Sequence, residues 1–170
     1  MSKSFRDLNS DLFDSEDSKF LDPKVARKKA MDFLALREYG QKELINKLRS
    51  KGFSDEISSS VVERLTEDGL QNDSRFIESF IRSRIKQGKG QLKITQELEQ
   101  KNLPSQSIFS ALDNLDMNWL ELAHEVRIKK FGNNLPDDFN KKAKQIRFLQ
   151  SRGFETVSYT HLTLPTKRIV

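Results

Sequence analysis

A pattern set by Leu44, Leu48 and Gly52-Phe53 returns after 50 residues as Ile94, Leu98 and Asn102-Leu103, and its core returns after 101 as Leu149 and Gly153-Phe154. A period near 50 residues, carried by three short amphipathic segments per copy, constrains the fold strongly. One copy buries too little apolar surface to be stable alone, so neighbouring copies must pack side by side. The expected fold is all-α: three tandem three-helix repeats in a curved, elongated solenoid-like module, the third repeat incomplete.

The segments follow the repeat. Asp22-Pro23 marks a start, with proline suited to the first helical position. Val25–Arg37 predicts a helix with Val25, Ala26, Ala30, Phe33 and Leu34 on one face. Gly40 opens the next, with Leu44, Ile45 and Leu48 inward. Gly52 closes it where a left-handed backbone is tolerated. Ser54 caps a third helix whose stripe is Ile57, Val61, Val62 and Leu65, closed by Gly69. The second copy starts from a cap at Asp73 or Ser74. Phe76, Ile77, Phe80, Ile81 and Ile85 recur at three-and-four spacing, and Gly88-Lys89-Gly90 makes an elbow before Gln91–Lys101, with Leu92, Ile94 and Leu98 inside. Pro104 opens a helix bearing Ile108, Ala111, Leu112 and Leu115. In the third copy Asn118 and Glu121 have capping-box spacing before a face of Trp119, Leu122, Ala123 and Val126. Asp137 then caps a helix with Phe139, Ala143, Ile146 and Leu149 inward. The candidate core is Phe33, Leu34, Leu44, Leu48, Phe53, Phe76, Phe80, Ile94, Leu98, Leu149 and Phe154.

This reading divides the chain into an acidic N-terminal arm over 1–23, repeats over 24–70, 71–117 and 118–156, and a tail over 157–170. The arm carries Lys3, Arg6 and Lys19 against Asp7, Asp11, Asp14, Glu16, Asp17 and Asp22, a net charge of −3. The tail, VSYTHLTLPTKRIV, has β-branched residues, a proline and no helical stripe. It resembles the translation of a sequencing adapter. The expectation is a native frame lost near Glu155 and a third repeat without its last helix.

Composition excludes several kinds of function. The chain has no cysteine, so disulfides and thiolate metal sites are absent. No apolar run approaches the roughly 20 residues needed to cross a bilayer, and the N-terminus lacks a signal-peptide core. A soluble cytoplasmic protein without cofactor or metal is expected. The two histidines, His124 and His161, stand apart, and the carboxylates read as caps and solvated faces, so no enzyme is expected. Gly88-Lys89-Gly90 lacks the full pattern and preceding strand of a phosphate loop. The basic residues carry more information. At a net charge of +5, with an acidic arm, the helical body is more basic than the whole. Lys42, Arg49 and Lys51 in the first copy, and Arg82, Arg84, Lys86, Lys89 and Lys93 around the second copy's elbow, would align as an electropositive strip along stacked repeats. No aromatic platform is interleaved with them, so backbone contact or an acidic protein partner fits better than base readout.

Leu36-Arg37-Glu38-Tyr39-Gly40-Gln41-Lys42-Glu43-Leu44, Lys51-Gly52-Phe53, Asp73-Ser74-Arg75-Phe76 and Gly88-Lys89-Gly90 with Ile94 and Glu97-Leu98 together resemble the RecX family over about Val25 to Phe154. The resemblance implies three tandem three-helix repeats that bind RecA and the RecA–DNA filament as a monomer. It also implies that the chain inhibits strand exchange, ATP hydrolysis and co-protease activity, with weak direct DNA contact as a further property. Arg75 and Phe76 would then anchor the second repeat's first helix, and Arg82, Arg84, Lys89 and Lys93 would lead the filament or DNA contacts. Gly40 departs from the serine usual in the family at that cap. An alternative is a helical protein that occupies DNA directly through the basic strip, and a third is a helical scaffold that does neither.

Overall fold

A computed structural model describes residues 20–155; the expectations for the arm before residue 20 and for the tail lie outside them. Eight α-helices and no strand occur among the described residues: α1 (Pro23–Leu36), α2 (Gln41–Arg49), α3 (Asp55–Glu67), α4 (Asp73–Lys86), α5 (Gln91–Glu99), α6 (Ser105–Asp113), α7 (Trp119–Phe131) and α8 (Phe139–Ser151). Contacts group the chain into two compact units, Met1–Phe76 and Ile77–Val170, so the boundary falls inside α4.

In the first unit α3 packs on both α1 and α2. Ala26, Ala30, Leu44, Leu48, Val62 and Leu65 are wholly buried, with Tyr39, Phe53 and Val61 nearly so. The alanines on α1 let α3 approach closely, and Phe33 and Leu34 border the cluster half-buried rather than within it. In the second unit Phe80, Ile94 and Leu98 are buried together with Ile77, Ile81, Ile108 and Leu112. A further cluster joins Leu122, Ala123, Leu149 and Phe154, bordered by Ile85, Met117, Val126 and Phe148.

The repeat register appears in the backbone. Gly52, Asn102 and Gly153, spaced as the sequence repeat requires, all have positive φ, at 100°, 59° and 85°. Each stands four residues after the last buried leucine of its helix, Leu48, Leu98 and Leu149 in turn. The Phe53 and Phe154 amides donate back to the Leu48 and Leu149 carbonyls, closing the turn as a left-handed terminator does.

Three sequence expectations about buried residues are corrected. Leu92 is 54% exposed because it stands two residues before Ile94, nearly across the helix from the buried face. Phe139 is 82% exposed: as the first residue of α8 it lies off the buried stripe of Gln145 and Leu149. Val25, in the first turn of α1, is also exposed. Two caps shift by one residue. Asn72, not Asp73 or Ser74, accepts from the Arg75 amide at 3.0 Å. Asp138, not Asp137, accepts from the Lys141 amide at 2.7 Å, while Asp137 pairs with the Lys141 ammonium instead. Asp22, Ser54 and Asn118 cap as the sequence indicates, accepting from the amides of Lys24, Ile57 and Glu121.

Candidate interaction site

The candidate contact cations divide by unit and by environment. In the first unit Lys42 and Lys51 are exposed, while Arg49, also exposed, pairs with Asp55 across the turn between α2 and α3. In the second unit Arg82 and Lys86 are exposed on α4. Arg82 lies 3.9 Å from Glu78 one turn away, a loose pair contributing little.

Arg84 and Lys89 are placed differently from the sequence expectation. Both converge on Glu97 of α5: Arg84 Nε donates to one carboxylate oxygen at 2.7 Å and Lys89 Nζ to the other at 2.6 Å. All three side chains are largely shielded, and the Arg84 guanidinium lies 4.2 Å from the centre of the Phe80 ring. The Lys89 amide also donates to the Arg84 carbonyl. The two cations therefore brace the elbow between α4 and α5 and are not directed at an outside anion. Lys93 is half-buried, its backbone and Cβ beside Gly153.

Burial alone would raise the Glu97 carboxyl, but the hydrogen bonds and charges of Lys89 and Arg84 outweigh it and hold it below its ordinary value of 4.5. A carboxylate depressed on folding contributes stability that is complete above pH 4.5 and is lost as pH falls through its folded value. Glu97→Gln is expected to cost about 1.5 kcal/mol at neutral pH, the order of a charge-assisted hydrogen-bond pair. Urea titrations at falling pH should show the deficit against the native chain shrinking below pH 4.5.

Arg75 serves as a clasp. Its guanidinium donates to the Gly69 and Leu70 carbonyls and to Glu38, fixing the turn after α3 and the segment before α2. Phe76 beside it is 2% exposed. Gly40, the cap of α2, has no side chain to offer. The Asp73 carboxylate takes that place, accepting from the Gln41 amide at 2.8 Å and from Gln71 Nε2 at 2.9 Å. Gln71 is buried and ties the site together, donating to the Tyr39 carbonyl and accepting from the Thr66 hydroxyl. At the equivalent cap, Gly90, the acceptors are backbone: its amide donates to the Arg152 carbonyl and the Leu92 amide to the Gly153 carbonyl. Arg152 also reaches the Gln87 carbonyl through Nη1 at 3.0 Å, holding the elbow from its side chain as well.

Sequence reasoning missed Gln71 and Glu97 as organising residues, and it missed Lys129, Lys130 and Arg152. The last three gather with Lys86 around a cavity of the second unit. The available signal was the spacing of Leu122, Val126, Lys129 and Lys130 on one helical face. Among the described residues no group of three or more His, Asp or Glu could hold a metal ion, and no helix is long and apolar enough to cross a membrane.

Short helices closed by the same left-handed terminator at a period near 50 residues define a helical-repeat protein. Models of the first, second and third three-helix domains of RecX match residues 26–65, 72–112 and 117–156 in that order. The chain is 44% identical over 138 residues to the regulatory protein RecX of Pseudomonas putida strain GB-1, spanning 81% of this chain and 88% of the relative. It is 41% identical over 132 residues to that of Pseudomonas savastanoi pv. phaseolicola, spanning 78% and 85%. The crystal structure of RecX from Lactobacillus salivarius shares the fold at a TM-score of 0.68 and 22% identity, covering 82% of this chain and 93% of that one. A second RecX crystal structure shares it at a TM-score of 0.69 and 20% identity, covering 94% and 77%. The chain belongs to the RecX family of regulatory proteins.

Proposed function

We propose that this chain regulates RecA, binding it and its nucleoprotein filament and mostly inhibiting its recombinase, ATPase and co-protease activities in DNA repair and the SOS response. The observation that carries this reading is the match of all three RecX domains, in order, across 26–156. The repeats are assigned to 24–70, 71–117 and 118–156. The contact surface is assigned to the exposed cations Lys42, Arg49, Lys51, Arg82 and Lys86. Arg84, Lys89 and Lys93 belong to the packed turns, where reversal of charge acts on stability first.

The test is RecA-catalysed ATP hydrolysis on single-stranded DNA, titrated with the full chain. Inhibition at chain concentrations well below RecA supports action on the filament, since so little protein could not cover the DNA. Reversing Lys42, Lys51, Arg82 and Lys86 together is expected to weaken inhibition about tenfold or more while thermal unfolding is unchanged, because exposed charges act on association rather than on the fold. Absence of inhibition by the native chain overturns the reading. Affinity for naked DNA that falls steeply with salt and accounts for all the inhibition would assign the effect to DNA occupancy instead.

A further inference from the structure

A cavity of about 620 Å³ opens in the second unit where the end of α4 and the elbow meet α7 and α8. Its lining has two chemistries. Ile85, Met117, Leu122, Val126 and Phe148 supply an apolar surface, buried or half-buried against the neighbouring cluster. Lys86, Lys129 and Lys130 are exposed at its edge, with Glu125 opposing them and Arg152 half-buried. The cations exceed the single acid by three. Arg152 is already committed to the Gln87 carbonyl and lies 5.3 Å from the centre of the Phe148 ring. The three lysines therefore set the field at the mouth.

We propose that this groove docks an acidic amphipathic segment of a partner protein, its apolar side chains entering the cavity and its carboxylates meeting Lys86, Lys129 and Lys130. The size lies within the roughly 300–1,000 Å³ of sites that enclose several side chains or a small ligand. An apolar interior with a cationic edge matches the helix-in-groove mode of recognition. A nucleic acid fits the lysines but not the interior. Phe148 is the one aromatic side chain of the lining; it is edge-on to Phe131 at 5.3 Å and has Arg152 against it. Its ring is not open to a stacked base, and phosphate gains nothing from aliphatic walls. The inference rests on the regulatory reading only in taking the chain to work by binding a protein.

The probe is a labelled synthetic helix-forming peptide with leucines at three-and-four spacing flanked by glutamates, followed by fluorescence anisotropy against the full chain. A scrambled peptide of equal composition, a polyglutamate and a single-stranded oligonucleotide serve as comparisons. The amphipathic peptide is expected to bind at least about tenfold more tightly than the scrambled one, and Lys129→Glu with Lys130→Glu should remove that advantage. Both lysines are exposed, and circular dichroism of the variant checks that the helices persist. Equal binding of scrambled and amphipathic peptides overturns the proposal. So does oligonucleotide binding as tight and as sensitive to the two substitutions, peptide binding indifferent to them, or no binding at all. Self-association of the chain that the same pair abolishes would give the groove to a second copy and also overturn it. The ATPase titration separates the two readings: peptide binding without filament inhibition sinks only the RecA reading, and inhibition without peptide binding sinks only the groove.

Discussion

Gly90→Ala is expected to lower the stability of the second unit by about 3 kcal/mol. A methyl at Gly90 would stand 2.6 Å from the Phe154 nitrogen and closer still to the Gly153 carbonyl. Those neighbours are backbone, so no side chain can swing aside. Overpacking of this kind costs about 1–3 kcal/mol, and separating the strands of chain would also break the amide bonds from Gly90 and Leu92 to the Arg152 and Gly153 carbonyls, at about 1 kcal/mol each. Gly153→Ala strikes the same contact from the other side, against the Lys93 backbone and with φ at +85°. Because the two substitutions damage one contact, their effects should fall short of additive. Gly69 is the control: it too has positive φ, at 70°, but nothing lies within 4 Å of an added methyl. Gly69→Ala should therefore cost only about 1 kcal/mol, the strain of a left-handed non-glycine residue. Urea denaturation of the three variants, with midpoints compared at unchanged slope, checks the order.

Asp73→Ala is expected to cost about 2 kcal/mol. It removes the acceptor for the Gln41 amide at the start of α2 and one of the two acceptors for the buried Gln71 amide group. Loss of a cap costs about 1 kcal/mol, and an unsatisfied buried donor about 1–3 kcal/mol before water relieves it. Asp73→Asn keeps an acceptor oxygen and should recover more than half the loss. Amide exchange gives a local readout. The Gln41 amide should exchange faster in Asp73→Ala, while amides in the α5 core stay protected. Equal exchange in the native chain and the variant would show that Asp73 does not cap α2. Gly40→Ser tests whether a local cap can substitute, although its Cβ would stand 3.2 Å from the Phe76 ring, so the ring must yield for the serine to help.

The repeat itself was legible because it leaves marks that do not depend on partners: leucines at helical spacing, then a residue able to take positive φ. Even Asn102, the one non-glycine at that position, follows the rule, since asparagine tolerates that region better than most side chains. Caps were legible where one good acceptor stood alone, as at Asn118. They were misplaced where acceptors adjoin, as in Asn72-Asp73-Ser74 and Asp137-Asp138, because either neighbour satisfies the local rule and only the turn geometry chooses. The contact cations were the least legible. Arg84 and Lys89 carry the same charge as Lys86 and lie in the same short stretch, yet they meet at a carboxylate 13 and 8 residues away while Lys86 remains exposed. The groove was hidden for another reason: its lining comes from α4, the elbow, the turn before α7, and both α7 and α8.

The two glycine caps also decide whether the copies could be shuffled. At Gly40 the missing acceptor is a carboxylate at the first residue of the following copy; at Gly90 it is a carbonyl in the turn that ends α8. The first residues of α1 and α7, Pro23 and Trp119, could supply no such carboxylate. A permuted chain with α4–α6 placed ahead of α1–α3 would follow α3 with Trp119 in place of Asp73, leaving the Gln41 amide without its carboxylate. The three copies share a plan but are joined by unlike fittings, so their order is written into the chemistry of the joints and not only into the order of the gene.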